Sequence, residues 1–373
     1  MSDPWAEARA DFPALSRYVY LNTAAAGPTP RVVREVVSAF QRELEDGGDA
    51  WWSEWMSRRE AAREAVARFI GAQPDEIAFV PNTSSGMNLV ADALAGDGPV
   101  LSNELEFPAV TLPFVHRGVP VHFLPAVEGV VRLESFAERD APRAATLAVS
   151  HVQFSNGCRV DLEALGALKG ERHLVVSGSQ SVGAFPIDVR AARVDALASA
   201  GHKWLGAGYG AGFVYLSRAL LERPPRTLGW LSVEDPFRFD NRAYRLLPSA
   251  ARFELGCPAF AGIFALGAAI TYLVGLGREA VAERVLALNM YLTFQLERAG
   301  FEVLSPGGPH RSGQTLVALD DPRGAAAFLE QRGVLVTPKP QGLRVATHFY
   351  NNEADIDACV AALRAWRDDP GRG

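Results

Sequence analysis

The sequence predicts an α/β fold, in which a mainly parallel sheet is covered by helices on both faces and a smaller α+β region follows it. Two observations carry this reading. Short β-rich runs recur at 77–80, 100–101, 121–124, 146–149, 174–176, 196–198 and 212–216. Several are apolar throughout, as strands buried on two faces are. Helix-like segments lie between several of them; Met87, Val90, Ala91 and Leu94, for example, fall at i, i+3, i+4 and i+7. Strands alternating with helices imply parallel pairing through crossovers. In such sheets ligands bind beyond the carboxyl ends of the strands.

After about residue 245 the pattern changes. A long helical region from Gly262 to about Ala299 precedes a β-like run at 314–319, the run at 333–337 and a helix from Glu353 to Trp366. The expected division is an N-terminal arm (1–17), a large domain (18–245) and a small C-terminal domain (246–373), with the arm packed against the last.

The composition narrows the function classes. The chain has 373 residues, 48% hydrophobic and 21% charged, enough for a large buried core. Its formal net charge is -6, so neither nucleic acid nor an anionic membrane surface is an expected partner. Cys158, Cys257 and Cys359 are odd in number and match no zinc or disulfide spacing, which predicts a reducing, cytoplasmic setting and no metal site. The opening residues lack the basic-then-apolar layout of a signal peptide. Phe260 to Gly277 carries no charge, but it is short for a membrane span and holds four glycines, so a buried helix is expected. Only three of the 37 basic side chains are lysines: Lys169, Lys203 and Lys339.

That scarcity matters at Ser199-Ala200-Gly201-His202-Lys203-Trp204, which follows an apolar strand and precedes a glycine-rich run. An amine at the end of a buried strand is poorly solvated, which lowers its pKa and makes it a nucleophile toward an aldehyde. A lysine in a surface loop would read the same way in isolation. Asn82-Thr83-Ser84-Ser85-Gly86 also follows a strand, and it opens the helix that carries Met87. Hydroxyls and free N–H groups at a helix start suit a phosphate, although an ordinary N-cap uses the same residues. His202 could donate to that phosphate or serve the structure alone.

Taken together, the segments YLNTAAAGPTP, FVPNTSSGMNLVADAL, SHVQFSNGCRVDLEAL, SGSQSVGAFPIDV, ASAGHKWLGAGYGAGF, RFELGCPAFAG and LRVATHFYNNEADID resemble, in order, those of the aminotransferase class V family, across roughly residues 18 to 365. That family includes cysteine desulfurases, kynureninases and isopenicillin N epimerase-like proteins. The resemblance implies pyridoxal-phosphate fold type I, with a seven-stranded large domain, a smaller C-terminal domain and a homodimer with shared active sites. It implies that Lys203 holds pyridoxal 5'-phosphate as an imine and later moves the substrate's α-proton. Thr83 and Ser84 would bind the phosphate, with His202 close by, and Phe107 would stack on the pyridine ring. Asn156 and Gln180 would hydrogen-bond the phenolic oxygen. Arg344 would clamp the substrate carboxylate, as a planar guanidinium can. Gly256 and Cys257 would approach the partner subunit's phosphate.

Three positions depart from the family pattern. Ser177 stands where an aspartate pairs with the pyridine nitrogen, Ala200 where a serine often binds phosphate, and Cys257 where threonine or serine is common. A neutral Ser177 leaves the ring nitrogen without a charged partner, which penalises transamination more than β-elimination. No cysteine lies at 336–341, before Arg344, so a persulfide-forming cysteine desulfurase is not expected. The expected activity is β-elimination on an amino acid through an external aldimine, resembling a carbon–sulfur lyase. The alternatives are an aminotransferase or an epimerase of the same family, and a non-catalytic protein that keeps the fold.

Overall fold

The computed structural model describes residues 3–137 and 144–369; the outermost ends of the expected arm and small domain lie outside them. The chain begins with helix α1 (Pro4–Ala10) and strand β1 (Val19–Tyr20), then two long helices, α2 (Arg31–Gly47) and α3 (Trp52–Ile70). The core alternation follows: β2 (Ile77–Val80), α4 (Thr83–Leu94), β3 (Val100–Asn103), α5 (Pro108–His116), β4 (Val121–Leu124), β5 (Thr146–Ser150), α6 (Leu162–Leu168), β6 (His173–Ser177), β7 (Ala196–Ala200), β8 (Gly212–Leu216) and α7 (Arg218–Leu221). The remainder is α8 (Phe260–Leu276), α9 (Arg278–Arg298), β9 (Gln314–Ala318), α10 (Pro322–Glu330), β10 (Val334–Leu335), β11 (Thr337–Lys339), β12 (Gly342–Ala346) and α11 (Glu353–Arg367).

Seven strands form one sheet in the order β2-β8-β7-β6-β5-β3-β4. Only β8 runs against its neighbours; the other pairings are parallel. The α/β expectation and its seven-stranded, mainly parallel sheet therefore hold. Side-chain alternation explains why both faces are covered. Ala78, Val80, Ala148, Val175, Ala198 and Val214 join one cluster with the apolar face of α4. Ile77, Phe79, Leu147, Leu174, Leu197 and Phe213 join the other, which reaches α3 and α8. Each of these strands thus feeds two cores.

Beyond the main sheet, β11, β12 and β9 pair antiparallel, while β1 pairs parallel with β10 and so links the two ends of the chain. The N-terminal segment packs on the C-terminal one: Arg9 makes a two-point contact with Asp355 at 2.7 and 2.9 Å, and Phe12 meets Tyr350 with ring centroids 4.7 Å apart. The uncharged run is α8, which buries Ile263, Phe264, Leu266 and Ile270 and packs against α2 and α3. Gly277, at a φ of 86°, separates it from α9, and the two axes differ by 80°. Among the described residues no single helix is long and apolar enough to cross a membrane.

β2 is an edge strand, and its open side is closed by a buried carboxylate. Glu254 accepts from Phe79 N at 2.9 Å, from Arg63 Nη1 at 2.5 Å and from Arg59 Nε at 3.1 Å. Burial alone would lower the Arg63 pKa, but Glu254 and Glu60 outweigh it and hold the guanidinium charged. This network fixes the segment just before Gly256 and Cys257. Glu254→Ala leaves Arg59 and Arg63 with Glu60 alone as carboxylate partner among the described residues and leaves Phe79 N unpaired, which should cost about 1–3 kcal/mol. Urea titration should show a lower midpoint with an unchanged slope; an unshifted midpoint would mean that the network adds nothing to stability.

Candidate active site

The carboxyl ends of β2, β3, β5, β6 and β7 share one edge of the sheet, and the residues singled out in the sequence gather there. Lys203 sits in the loop from β7 to β8. That loop closes on itself: Gly201 N donates to Ala211 O and Ala207 N to Gly201 O, both at 2.8 Å. Residues flanking β1 pack against the same loop. Gly27 N donates to His202 O at 2.8 Å, and a Cβ at Gly27 would stand 2.2 Å from the Lys203 carbonyl oxygen, so only glycine fits. Next to the lysine, Trp204 is buried. Its Nε1 donates to Gln180 Oε1 at 2.8 Å, and its carbonyl accepts from His348 Nε2 at 2.9 Å. The backbone on both sides of Lys203 is thereby held. Burial first, then Arg344 and Lys339, lower the Lys203 pKa to about 8.

On one side of the lysine lies the start of α4. Asn82 caps Ser85 N at 3.0 Å, which leaves the earlier first-turn N–H groups for an anion. The helix sits tight on the sheet because a Cβ at Gly86 would lie 2.9 Å from Ala198 Cβ. Thr83 is buried, with its Oγ1 2.6 Å from Ser179 Oγ, while Ser84 is exposed. Ser179 in turn accepts from Ser177 Oγ at 3.5 Å. Three hydroxyls thus stand together where the family pattern has an acidic residue. His202 stacks on Tyr209 at 4.8 Å, and its pKa is lowered by burial and by Lys203.

On the other side are aromatic rings. Phe107 is 44% exposed, which is unusual for a ring at a strand end, and Lys203 Nζ lies 5.8 Å from its centroid. Beneath it, the Glu106 carboxylate accepts from Ser150 N at 2.5 Å, Ser150 Oγ at 2.7 Å, Gln153 Nε2 at 2.8 Å and Asn103 Nδ2 at 2.9 Å. Burial raises its pKa against those donors. Farther along, Arg344 donates to Phe154 O at 3.3 Å and to Thr337 Oγ1 at 3.5 Å, but its buried Nε has no partner.

This arrangement matches known proteins over its full extent. The aminotransferase class V family profile matches residues 19–362. The chain belongs to that family. It is 29% identical to an uncharacterized aminotransferase, YcbU, from Bacillus subtilis, covering 95% of this chain and 96% of the relative. It is 30% identical to a cysteine desulfurase from Salmonella agona, covering 97% and 98%. Two solved structures share the fold. The apo cysteine desulfurase from Thermococcus onnurineus has a TM-score of 0.88 at 24% identity, with 98% of each chain covered. The cystine C–S lyase C-DES, in complex with its product cysteine persulfide, has a TM-score of 0.85 at 22% identity, covering 95% of this chain and 99% of that one.

These relatives correct one expectation. The lack of a cysteine at 336–341 was read as excluding a persulfide-forming desulfurase, yet cysteine desulfurases align with the chain end to end. That segment lies in the tight β11–β12 hairpin. A missing thiol in one hairpin does not decide which carbon–sulfur chemistry the rest of the site performs.

Pyridoxal phosphate is the family's cofactor, and the residues present fit it. The start of α4, with Thr83 and Ser84, offers an anion site. Lys203 has a partly deprotonated amine, Phe107 leaves a ring face open beside that amine, and Arg344 keeps an unspent donor for a carboxylate. Asn156 and Gln180 are more committed than their expected roles suggest. Asn156 donates to Gly129 O at 2.7 Å and accepts from Cys158 N at 3.0 Å; Gln180 donates to Ala24 O at 2.9 Å and accepts from Trp204. Each amide keeps one N–H. Sequence reasoning missed Ser179 and Glu106, although the first lies inside the segment that begins at Ser177 and the second directly precedes Phe107.

In cofactor-free protein, the free amine of Lys203 should accumulate as pH rises through about 8, rather than near the ordinary lysine value. Pyridoxal phosphate trapped with borohydride should therefore label Lys203 with a half-maximal rate near pH 8, and peptide mapping should find no such label in Lys203→Ala. Label concentrated on Lys169 or Lys339 would refute the assignment.

Proposed function

We propose that this protein cleaves a carbon–sulfur bond of a sulfur-containing amino acid by β-elimination, with pyridoxal phosphate held by Lys203. The observation that carries the reading is a depressed lysine and an arginine with an unspent buried donor facing one aromatic pair, Phe107 and Phe154. When bound, the cofactor supplies an electron sink for charge at the substrate's α-carbon. The protein's own groups do the rest. Arg344 takes the α-carboxylate and fixes the amino acid's orientation. Lys203 moves the α-proton, a task suited to an amine whose pKa is near the working pH. Thr83, Ser84 and His202 hold the phosphate end, and Phe107 covers the ring.

Ser177 favours elimination over transamination. A hydroxyl adds no charge where the family pattern has a carboxylate, so a cofactor held there would be a weaker electron sink. A sulfur leaving group carries the charge away as it forms, whereas transamination must keep it on the ring. When the substrate is a disulfide, the same cleavage releases a persulfide.

The site is completed in a homodimer. Trp230, Phe239 and Tyr244 are exposed around a groove of about 880 Å³, and Phe237, also exposed, meets Trp230 edge-on at 5.5 Å; contiguous aromatic exposure of this kind suits a partner surface. Gly256 and Cys257, held in place by Glu254, would reach the partner's phosphate. A reducing, cytoplasmic setting suits the free thiol of Cys257.

Cofactor-loaded protein should give pyruvate and ammonia in equal amounts, together with sulfide from L-cysteine, cysteine persulfide from L-cystine or the alkyl thiol from S-alkyl cysteines. Arg344→Ala should raise KM by roughly 10²-fold, the loss of a charge-assisted two-point contact, while amines without a carboxylate change little. Ser177→Asp should shift products toward the substrate's own keto acid. That keto acid as the main wild-type product would make the protein an aminotransferase, and alanine in place of pyruvate would replace elimination with desulfuration.

A further inference from the structure

Of the three lysines, Lys169 is paired with Asp195 and Lys203 serves the cofactor. Lys339 has no such task. It ends β11, and strand alternation puts its side chain on the same face as Thr337. Thr337 lies opposite Arg344 in the hairpin register and accepts from its guanidinium. Lys339, Thr337 and Arg344 therefore share one face of the hairpin.

That face looks onto the aromatic pair. Lys339 Nζ lies 4.8 Å from the Phe154 centroid, Phe154 meets Phe107 edge-on at 5.0 Å, and Lys203 Nζ lies 5.8 Å from Phe107. Two ammonium groups thus stand at the two ends of one aromatic pair, with a guanidinium beside them. Among the described residues, no aspartate or glutamate pairs with Lys203, Lys339 or Arg344, whereas Arg9, Arg59, Arg63 and Lys169 each have a carboxylate partner. Burial, then Arg344, lower the Lys339 pKa to about 8, as befits an uncompensated cluster. One substrate carboxylate on Arg344 offsets one of these charges and leaves Lys339 facing the site alone.

We propose that Lys339 is a specificity-determining residue that binds a second acidic group, a carboxylate at the far end of the substrate's side chain. The enzyme then selects amino acids with two carboxylates over neutral ones of the same shape. This rests on the carbon–sulfur reading only for the scaffold that carries the second carboxylate. A hydrogen bond between a half-buried ammonium and a carboxylate discriminates by about 10- to 100-fold against a neutral isostere.

The test uses cofactor-loaded wild-type, Lys339→Gln and Lys339→Arg proteins with two probes, S-carboxymethyl-L-cysteine and the neutral, near-isosteric S-carbamoylmethyl-L-cysteine. Turnover is read as pyruvate, and affinity by calorimetry. Wild type should prefer the carboxymethyl compound by about 10- to 100-fold, Lys339→Gln should lose that preference, and Lys339→Arg should keep it. Equal handling of the two probes by wild type, or a preference that survives Lys339→Gln, overturns the proposal. If neither probe is turned over, calorimetry still decides: a preference in affinity that vanishes in Lys339→Gln upholds the subsite and refutes cleavage of these thioethers instead.

Discussion

The structure depends on how Trp204 is held. Its indole N–H binds Gln180 at the end of the central sheet, and its carbonyl takes the His348 ring from the C-terminal part. Gln180 passes the connection on to Ala24 of the N-terminal segment. Three distant stretches of chain meet on the residue next to Lys203. Their bonds are buried, where an unmade partner costs about 1–3 kcal/mol, so none can drift without a penalty to the others. The amine can afford to be poorly solvated because its backbone has nowhere else to go.

The fold was largely legible because its signals are local. Short apolar β-rich runs marked the strands, and Met87, Val90, Ala91 and Leu94 marked the buried face of α4; all four are fully buried. What escaped the sequence depends on partners far away along the chain. Nothing near Asn156 reveals that Gly129 will take its amide, and nothing near Gln180 points to Ala24, 156 residues earlier. Likewise, nothing near Lys169 in the sequence shows that Asp195, 26 residues later, pairs with it. The exclusion of desulfurases failed for a related reason: it read one hairpin as if the chemistry were local to it.

Buried cations are handled in two opposed ways. Arg59 and Arg63 are neutralised by Glu254 and tie an edge strand to a helix. Arg344, Lys339 and Lys203 are left without counter-charges at the mouth of the site. The first arrangement contributes to rigidity, and the second holds positive potential in reserve for an anionic ligand. The same residue types stabilise the fold in one place and define its chemistry in another.

The self-closed loop that carries Lys203 has a kinetic consequence. Its bonds from Gly201 to Ala211 and from Ala207 back to Gly201 are complete within the polypeptide. Its conformation is thus in place before any small molecule arrives, and little ordering entropy is left to be spent on arrival. If Lys203 holds the cofactor as proposed, loading would need no rearrangement of this loop. Newly made chains can therefore finish folding first and become active afterwards.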